Sequence, residues 1–254
     1  MLLTLLTTAI TMLVADYLGK KVAMFFTDWI FVPIPGALVV LSILSVKRHG
    51  LTGNHGKAWV SFLVFSIAWF AAEQVWTVLE LFYDQKPFPS MADFFYMIGY
   101  PAYFVFAIFY IKPVKKAITK KIVLLSILVA ISLLVPNLYM AFENSSGEDQ
   151  FATALGASYP FADAIVFVPA FIGVLLFFGG KVNFPWFLML LGIIVEVVAD
   201  TGFQYYSLDN SMYTGHPIDI LFLWSYVFLV FGVYEHLKLF KTEKKSLYDK
   251  ESLR

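Results

Sequence analysis

Seven predominantly apolar stretches, each about 20 residues or longer, alternate with short polar segments near residues 28–46, 58–83, 92–111, 122–142, 159–180, 183–206 and 217–240. A bilayer core of about 30 Å takes roughly 20 residues of helix, so each stretch is long enough to cross one. An eighth apolar segment, residues 1–18, precedes them. It contains Asp16 and lacks a basic start, which makes it a poor signal peptide and an expected extra span. The pattern predicts an all-α polytopic membrane helix bundle with seven core transmembrane helices. The expected organisation is an N-terminal apolar segment (1–21), a membrane domain (22–240) and a basic tail (241–254).

Composition agrees. Of 254 residues, 60% are hydrophobic, 19% aromatic and only 14% charged, against roughly 25% charged in soluble proteins; mean hydropathy is +0.76. The formal net charge is zero, and no nucleic-acid partner is expected; membrane lipid is. The absence of cysteine excludes disulfides, thiol nucleophiles and cysteine-ligated metals. No Walker loop, HExxH, GxSxG or dinucleotide fingerprint is present. Neither catalytic residues nor a cofactor are therefore expected.

Basic residues set an expected orientation, because short cytoplasmic loops accumulate Lys and Arg. Lys47, Arg48 and Lys57 share one loop, Lys112, Lys115, Lys116, Lys120 and Lys121 another, and Lys238, Lys241, Lys244, Lys245, Lys250 and Arg254 mark the C-terminal end. These alternate, which predicts a cytoplasmic C-terminus in the cell membrane; Lys20 and Lys21 run against the rule. Asn144-Ser145-Ser146 forms a glycosylation sequon in an expected outer loop.

The chain also aligns with itself at an offset of about 126 to 136 residues. Asp28 with Phe31-Val32-Pro33 matches Asp163 with Phe167-Val168-Pro169. Ala72-Glu73 matches Ala199-Asp200. Asp93 and Tyr100 match Asp219 and Tyr226. This predicts a 3+1+3 parallel repeat, with units 28–111 and 159–240 and a linker helix at 122–142. The layout resembles that of SWEET-type sugar transporters and the one suggested for microbial rhodopsins. Retinal chemistry does not fit, since the last core helix has no lysine before Lys238.

Ionisable side chains inside a membrane cost at least about 2.5 kcal/mol and mark candidate sites. Helical spacing places Glu73, Trp76, Thr77 and Glu80 on one face, and Asp93, Tyr96, Tyr100 and Tyr103 on another. Glu196, Asp200 and Gln204 follow on the sixth core helix; Asp219 and Tyr226, with Trp224 between them, follow on the seventh. Ser90 with Asp93 has capping-box spacing, and a capping role also suits Asp163 after "SYP" and Asp219 after "GHP". Capping leaves Glu73, Glu196 and Asp200 unexplained; they need partners, a water-filled cavity or a bound proton. A metal held there would be a hard one such as Ca, Mg or Mn, but no metal site is expected. The remaining aromatics, Trp69, Trp76, Trp224, Tyr205, Tyr206 and Tyr213, read mostly as an interfacial belt. His49, His55 and His236 read as solvated or snorkelling residues at the inner face.

The segments "PFPSMADFFYMIGYP", "SYPFADAIVF" and "VADTGFQYYSLDNSMYTGHPIDILFLWSYVFLVFG" are similar to a seven-helix membrane sensor domain. That domain stands in front of bacterial diguanylate cyclases and some histidine kinases, and stands alone in some archaeal proteins. The resemblance covers most of residues 60–237, at Glu73 or Glu80, Asp93, Tyr96, Tyr100-Pro101, Tyr159-Pro160, Asp163, Asp200, Tyr213, Asp219, Trp224 and Tyr226. It implies sensing of a ligand in the extracytoplasmic half and signalling through the last helix. Only "KTEKKSLYDKESLR" follows Phe240, so a separate cytoplasmic or membrane signalling partner is expected. The expected ligand-binding residues are Glu73, Glu80, Asp93, Tyr96, Tyr100, Asp163, Asp200, Asp219, Trp224 and Tyr226, for an unknown small ligand or cation. Two alternatives stand beside sensing: a small-solute or cation transporter, for which the prolines and parallel repeats would suit rocking about a central site, and an intramembrane acid-base enzyme.

Overall fold

Apolar runs that must satisfy their own backbone groups in lipid fold as helices, and the computed structural model of the protein contains helices throughout. It describes residues 1–144, 150–180 and 183–251, with residues 240–251 as backbone alone. The helices are α1 (Leu2–Leu18), α2 (Lys20–Ile30), α3 (Pro33–His49), α4 (Gly53–Tyr83), α5 (Met91–Ile111), α6 (Lys120–Asn144), α7 (Gln150–Phe178), α8 (Phe184–Ser207) and α9 (Asp219–Glu251). A 3₁₀ turn, Lys112–Ala117, extends α5.

Among the described residues, seven helical segments are long and apolar enough to span a membrane. The first, Lys20–His49, is α2 and α3 together, broken at Phe31-Val32 where Pro33 opens α3. Proline lacks an N–H and fits the first helical turn, so the chain breaks just before it. The expected extra span, α1, forms a shorter apolar helix of 17 residues.

The fifth span begins at Gln150, well before the expected start at 159. Pro160 and Pro169 lie inside α7, where packing against neighbouring helices tolerates them. Residues 150–158, ahead of the expected start, therefore belong to α7. Ser145 and Ser146 of the sequon, and the side chains of the basic tail, lie outside the described residues. Asn144 donates to the Gln204 backbone and side-chain oxygens at 3.0 and 2.9 Å.

Six helices close a ring: α3 packs on α4, α4 on α5, α5 on α7, α7 on α8, α8 on α9, and α9 back on α3. Helix α6 packs outside it on α7 and α8, while α1 lies on α9 and α2, and α2 reaches α4. One end of the ring is filled by a buried aromatic cluster of Trp59, Phe62, Phe65, Trp69, Tyr103 and Phe106. Tyr103 donates to the Met189 carbonyl at 2.9 Å, satisfying its hydroxyl within that cluster. The other end holds most of the intramembrane acids.

Candidate functional site: an acid and tyrosine network

Helix α5 enters this network through its cap. The Ser90 hydroxyl accepts from Ala92 N at 3.0 Å, and Ser90 N donates to Asp93 Oδ2 at 2.6 Å. The cap satisfies otherwise unpaired backbone groups. It leaves Asp93 Oδ1 to accept from the Tyr159 hydroxyl at 2.6 Å. Capping and a tertiary contact are thus two uses of one carboxylate.

Two turns further on, the Tyr100 hydroxyl donates to Asp163 Oδ1 at 2.8 Å and lies 3.4 Å from Asp200 Oδ2. A hydroxyl has one proton to give. The second contact becomes a hydrogen bond only when the Asp200 carboxyl itself carries a proton. Tyr100 therefore joins α5 to both α7 and α8. Across the ring, the Tyr226 hydroxyl donates to Glu73 Oε1 at 2.8 Å, joining α9 to α4, and the Tyr96 side chain lies near Glu73. Glu196 is buried on α8 beside Ser225; neither its Oε2 nor the Ser225 hydroxyl has a hydrogen-bond partner.

A second group lies under the 208–218 loop. Glu80 accepts from Trp76 Nε1 at 3.0 Å and from the Thr214 hydroxyl at 2.9 Å. Asp219 accepts from Gly215 N at 2.7 Å. Asp28, on α2, has Thr77 Oγ1 at 3.5 Å from Oδ1 and no partner at Oδ2. The Tyr213 hydroxyl donates to Asp16 of α1, and Lys20 sits 4.2 Å from the centre of the Tyr213 ring. Burial first, then Asp16, pushes the Tyr213 hydroxyl up to about 12. Burial holds the His216 imidazole below its ordinary value, and its Nδ1 accepts from Ile218 N at 3.2 Å.

Two cavities flank Tyr100 and Asp163. A void of about 10 Å³ is bounded by Asn137, Pro160, Asp163 and Val197, on the order of one water molecule. A groove of about 210 Å³ between α5 and α7 is walled by Met97, Tyr100, Pro101, Phe104, Ala162 and Val166.

Nine of the ten expected site residues lie in these two groups, and several contacts differ from expectation. Trp224 is the exception: its Nε1 donates to the Leu5 carbonyl at 3.1 Å, so it pins α1 to α9 on the flank of the ring. Asp163 does not cap a helix, since it lies inside α7 and accepts from Tyr100. Trp69 is not a belt residue but 1% exposed in the core. His236 is not solvated: it is 3% exposed, and its Nε2 meets His49 Nε2 at 3.2 Å. Asp28, Asp16 and Thr214 were missed as contributors. Asp28 carried a signal, as an intramembrane acid matched to Asp163, whereas Thr214 had none.

Among the described residues, no three His, Asp or Glu side chains converge to hold a metal ion. The fold and these groups define a multi-pass membrane protein with a buried aromatic cluster and an acid-rich polar end. Comparison with known proteins finds no match: no family model, curated protein or solved structure is detectably similar.

Proposed function

We propose that the protein is a membrane sensor that binds a small ligand or cation at the acid and tyrosine network, in the extracytoplasmic half, and signals through a separate partner. The observation that carries this reading is the way Tyr100 and Tyr226 tie helices across the ring through carboxylates. A ligand that engages Asp163, Asp200 or Glu73, or a proton taken up by Asp163 or Glu73, competes with these ties. It thereby shifts the population between helix arrangements. The opposite end is filled by packed aromatic rings, which favours reading a signal over passing a solute through.

The pairings also support the proposed 3+1+3 repeat. Tyr100 of the first unit reaches Asp200 of the second, and Tyr226 of the second reaches Glu73 of the first. Those four residues are two matched pairs in the self-alignment. The likeness to the sensor domains found before diguanylate cyclases and histidine kinases belongs to the same proposal, as does the cytoplasmic C-terminus. The same crossed pairs favour one second reading, a transporter that rocks one unit against the other.

The test is a thermal-shift screen of the detergent-purified protein against divalent cations, sugars, amines, lipids and a pH series, repeated with Glu73→Gln and Asp200→Asn. A ligand-dependent shift lost in both variants supports the site, and flux into proteoliposomes then separates transporter from sensor. No shift with any ligand, and variants as stable as the parent, overturns it.

A further inference from the structure

We propose that the buried Asp28 carboxyl, where α2 meets α4 and the loop before α9, is a second cation site, which takes the ammonium group of a primary alkylamine. It rests on the sensory reading only in sharing the same end of the bundle, and its residues differ from the Tyr100, Asp163 and Asp200 cluster.

Asp28 is the anchor. It is 2% exposed, and Oδ2 has no hydrogen-bond partner. The charged side chains acting on it are the carboxyls of Glu80, Glu73 and Asp219. The donors to Glu80 and Asp219 are an indole, a hydroxyl and a backbone amide. All are neutral, so they satisfy geometry without offsetting charge. A buried acceptor without a donor is destabilising, more so when charged. A donor carrying positive charge relieves this cost.

Geometry narrows the class. No three carboxyls here converge on one metal ion. An ammonium group has three N–H donors and can reach oxygens set further apart. Phe31, three residues after Asp28, lies edge-on to Tyr226 at 5.9 Å between ring centres, and aromatic faces attract ammonium groups.

The cover over the site is also in place. Gly215 packs so closely on Ala23 of α2 that a Cβ there would come within 2.5 Å of the Ala23 carbonyl carbon. Gly215 also has φ +96°, which a side chain rarely adopts. The Tyr213 bond to Asp16 holds the same loop onto α1. Lys20 is held over the Tyr213 ring.

The experiment is a thermal-shift titration of the full chain in detergent with n-butylammonium chloride, against NaCl and MgCl2 at matched ionic strength. Butylammonium should raise the melting temperature, Asp28→Asn should abolish the rise, and Asp200→Asn should keep it. Glu80→Gln, which is the fallback if Asp28→Asn does not fold, should bind about tenfold more weakly, as for loss of one charge-assisted contact. An equal rise with NaCl or MgCl2 overturns the ammonium assignment. A rise unchanged by Asp28→Asn and by Glu80→Gln overturns the site. A rise abolished only by Asp200→Asn moves the cation to the Tyr100 cluster, which overturns this inference and leaves the proposed sensor standing.

Discussion

The Tyr226 hydroxyl donates to Glu73 Oε1 at 2.8 Å, bringing a side chain of α9 onto α4 across the ring. Tyr226→Phe removes that donor to Glu73. The expected loss is about 1–2 kcal/mol, between the range for bonds to charged groups and the smaller values measured between membrane helices. A double-mutant cycle with Glu73→Gln in detergent unfolding checks it. Strictly additive losses would mean that the two side chains do not act as a pair.

A close approach fixes how α5 lies on α4. Trp69 Nε1 donates to the Tyr96 carbonyl at 3.2 Å, and a Cβ at Gly99 would run into the Trp69 indole. Gly99→Ala should therefore destabilise the bundle by about 1–3 kcal/mol, the usual cost of overpacking a core. Gly36→Ala is the control, because its Cβ would meet Phe70 at an ordinary 3.5 Å. There the gain in helix propensity, up to about 1 kcal/mol, should appear instead. Chemical denaturation of both variants decides it; equal effects would place the Trp69 ring elsewhere.

The spans were legible because a bilayer demands long apolar runs, whatever packs beside them. The ends were less so: "SYP" reads as a helix start, yet α7 runs through Pro160 since neighbouring helices hold it. Periodicity put Asp93, Tyr96 and Tyr100 on one stripe, and all three side chains enter the polar network. Spacing cannot supply which helix lies opposite. Trp224 therefore looked equivalent to Tyr226, although it faces α1. His236 looked solvated for the same reason, since its burial is made by α3, α4 and α8.

The loop over the second group should respond to acid. His216 has its imidazole held below the ordinary value by burial, so the folded loop favours the neutral ring. Its contribution is present above the unfolded value, about 6.5, and is lost as pH falls below it, when the unfolded chain binds the proton more readily. Protonation also removes the Nδ1 acceptor that Ile218 N uses. Protection factors for amide exchange across residues 208–218, taken relative to the intrinsic rate at each pH, should therefore fall between about pH 7 and 5, and His216→Ala should flatten that dependence. A profile unchanged in the variant would show that another group controls the loop.

Tyr213 makes the opposite prediction at high pH. Its neutral hydroxyl donates to Asp16, and burial raises it to about 12. Its contribution is complete below the ordinary tyrosine value of about 10 and is lost as pH rises through the folded one. Difference absorbance at the tyrosinate band should show a titration step at about pH 12 that is lost in Tyr213→Phe. If that variant keeps the same late step, the bond to Asp16 does not form.

At the far end of the ring, His49 and His236 meet at 3.2 Å between Nε2 atoms. Trp59 stacks on His49 at 5.8 Å between ring centres, and both Trp59 and Trp186 lie 4.9 Å from His236. One imidazole must donate and the other accept, and the indoles pack against the pair. His236→Ala deletes a ring from this stack, and the expected loss is about 2–4 kcal/mol, as for other large-to-small core changes. Lys238→Ala, two residues on, should cost at most about 1 kcal/mol, because its side chain is 63% exposed and meets Glu235 at 3.6 Å. Tryptophan emission should shift to the red in the first variant and not in the second, as water reaches Trp59 and Trp186. Similar emission and stability in the two variants would mean that the histidine pair does not hold α3 against α9.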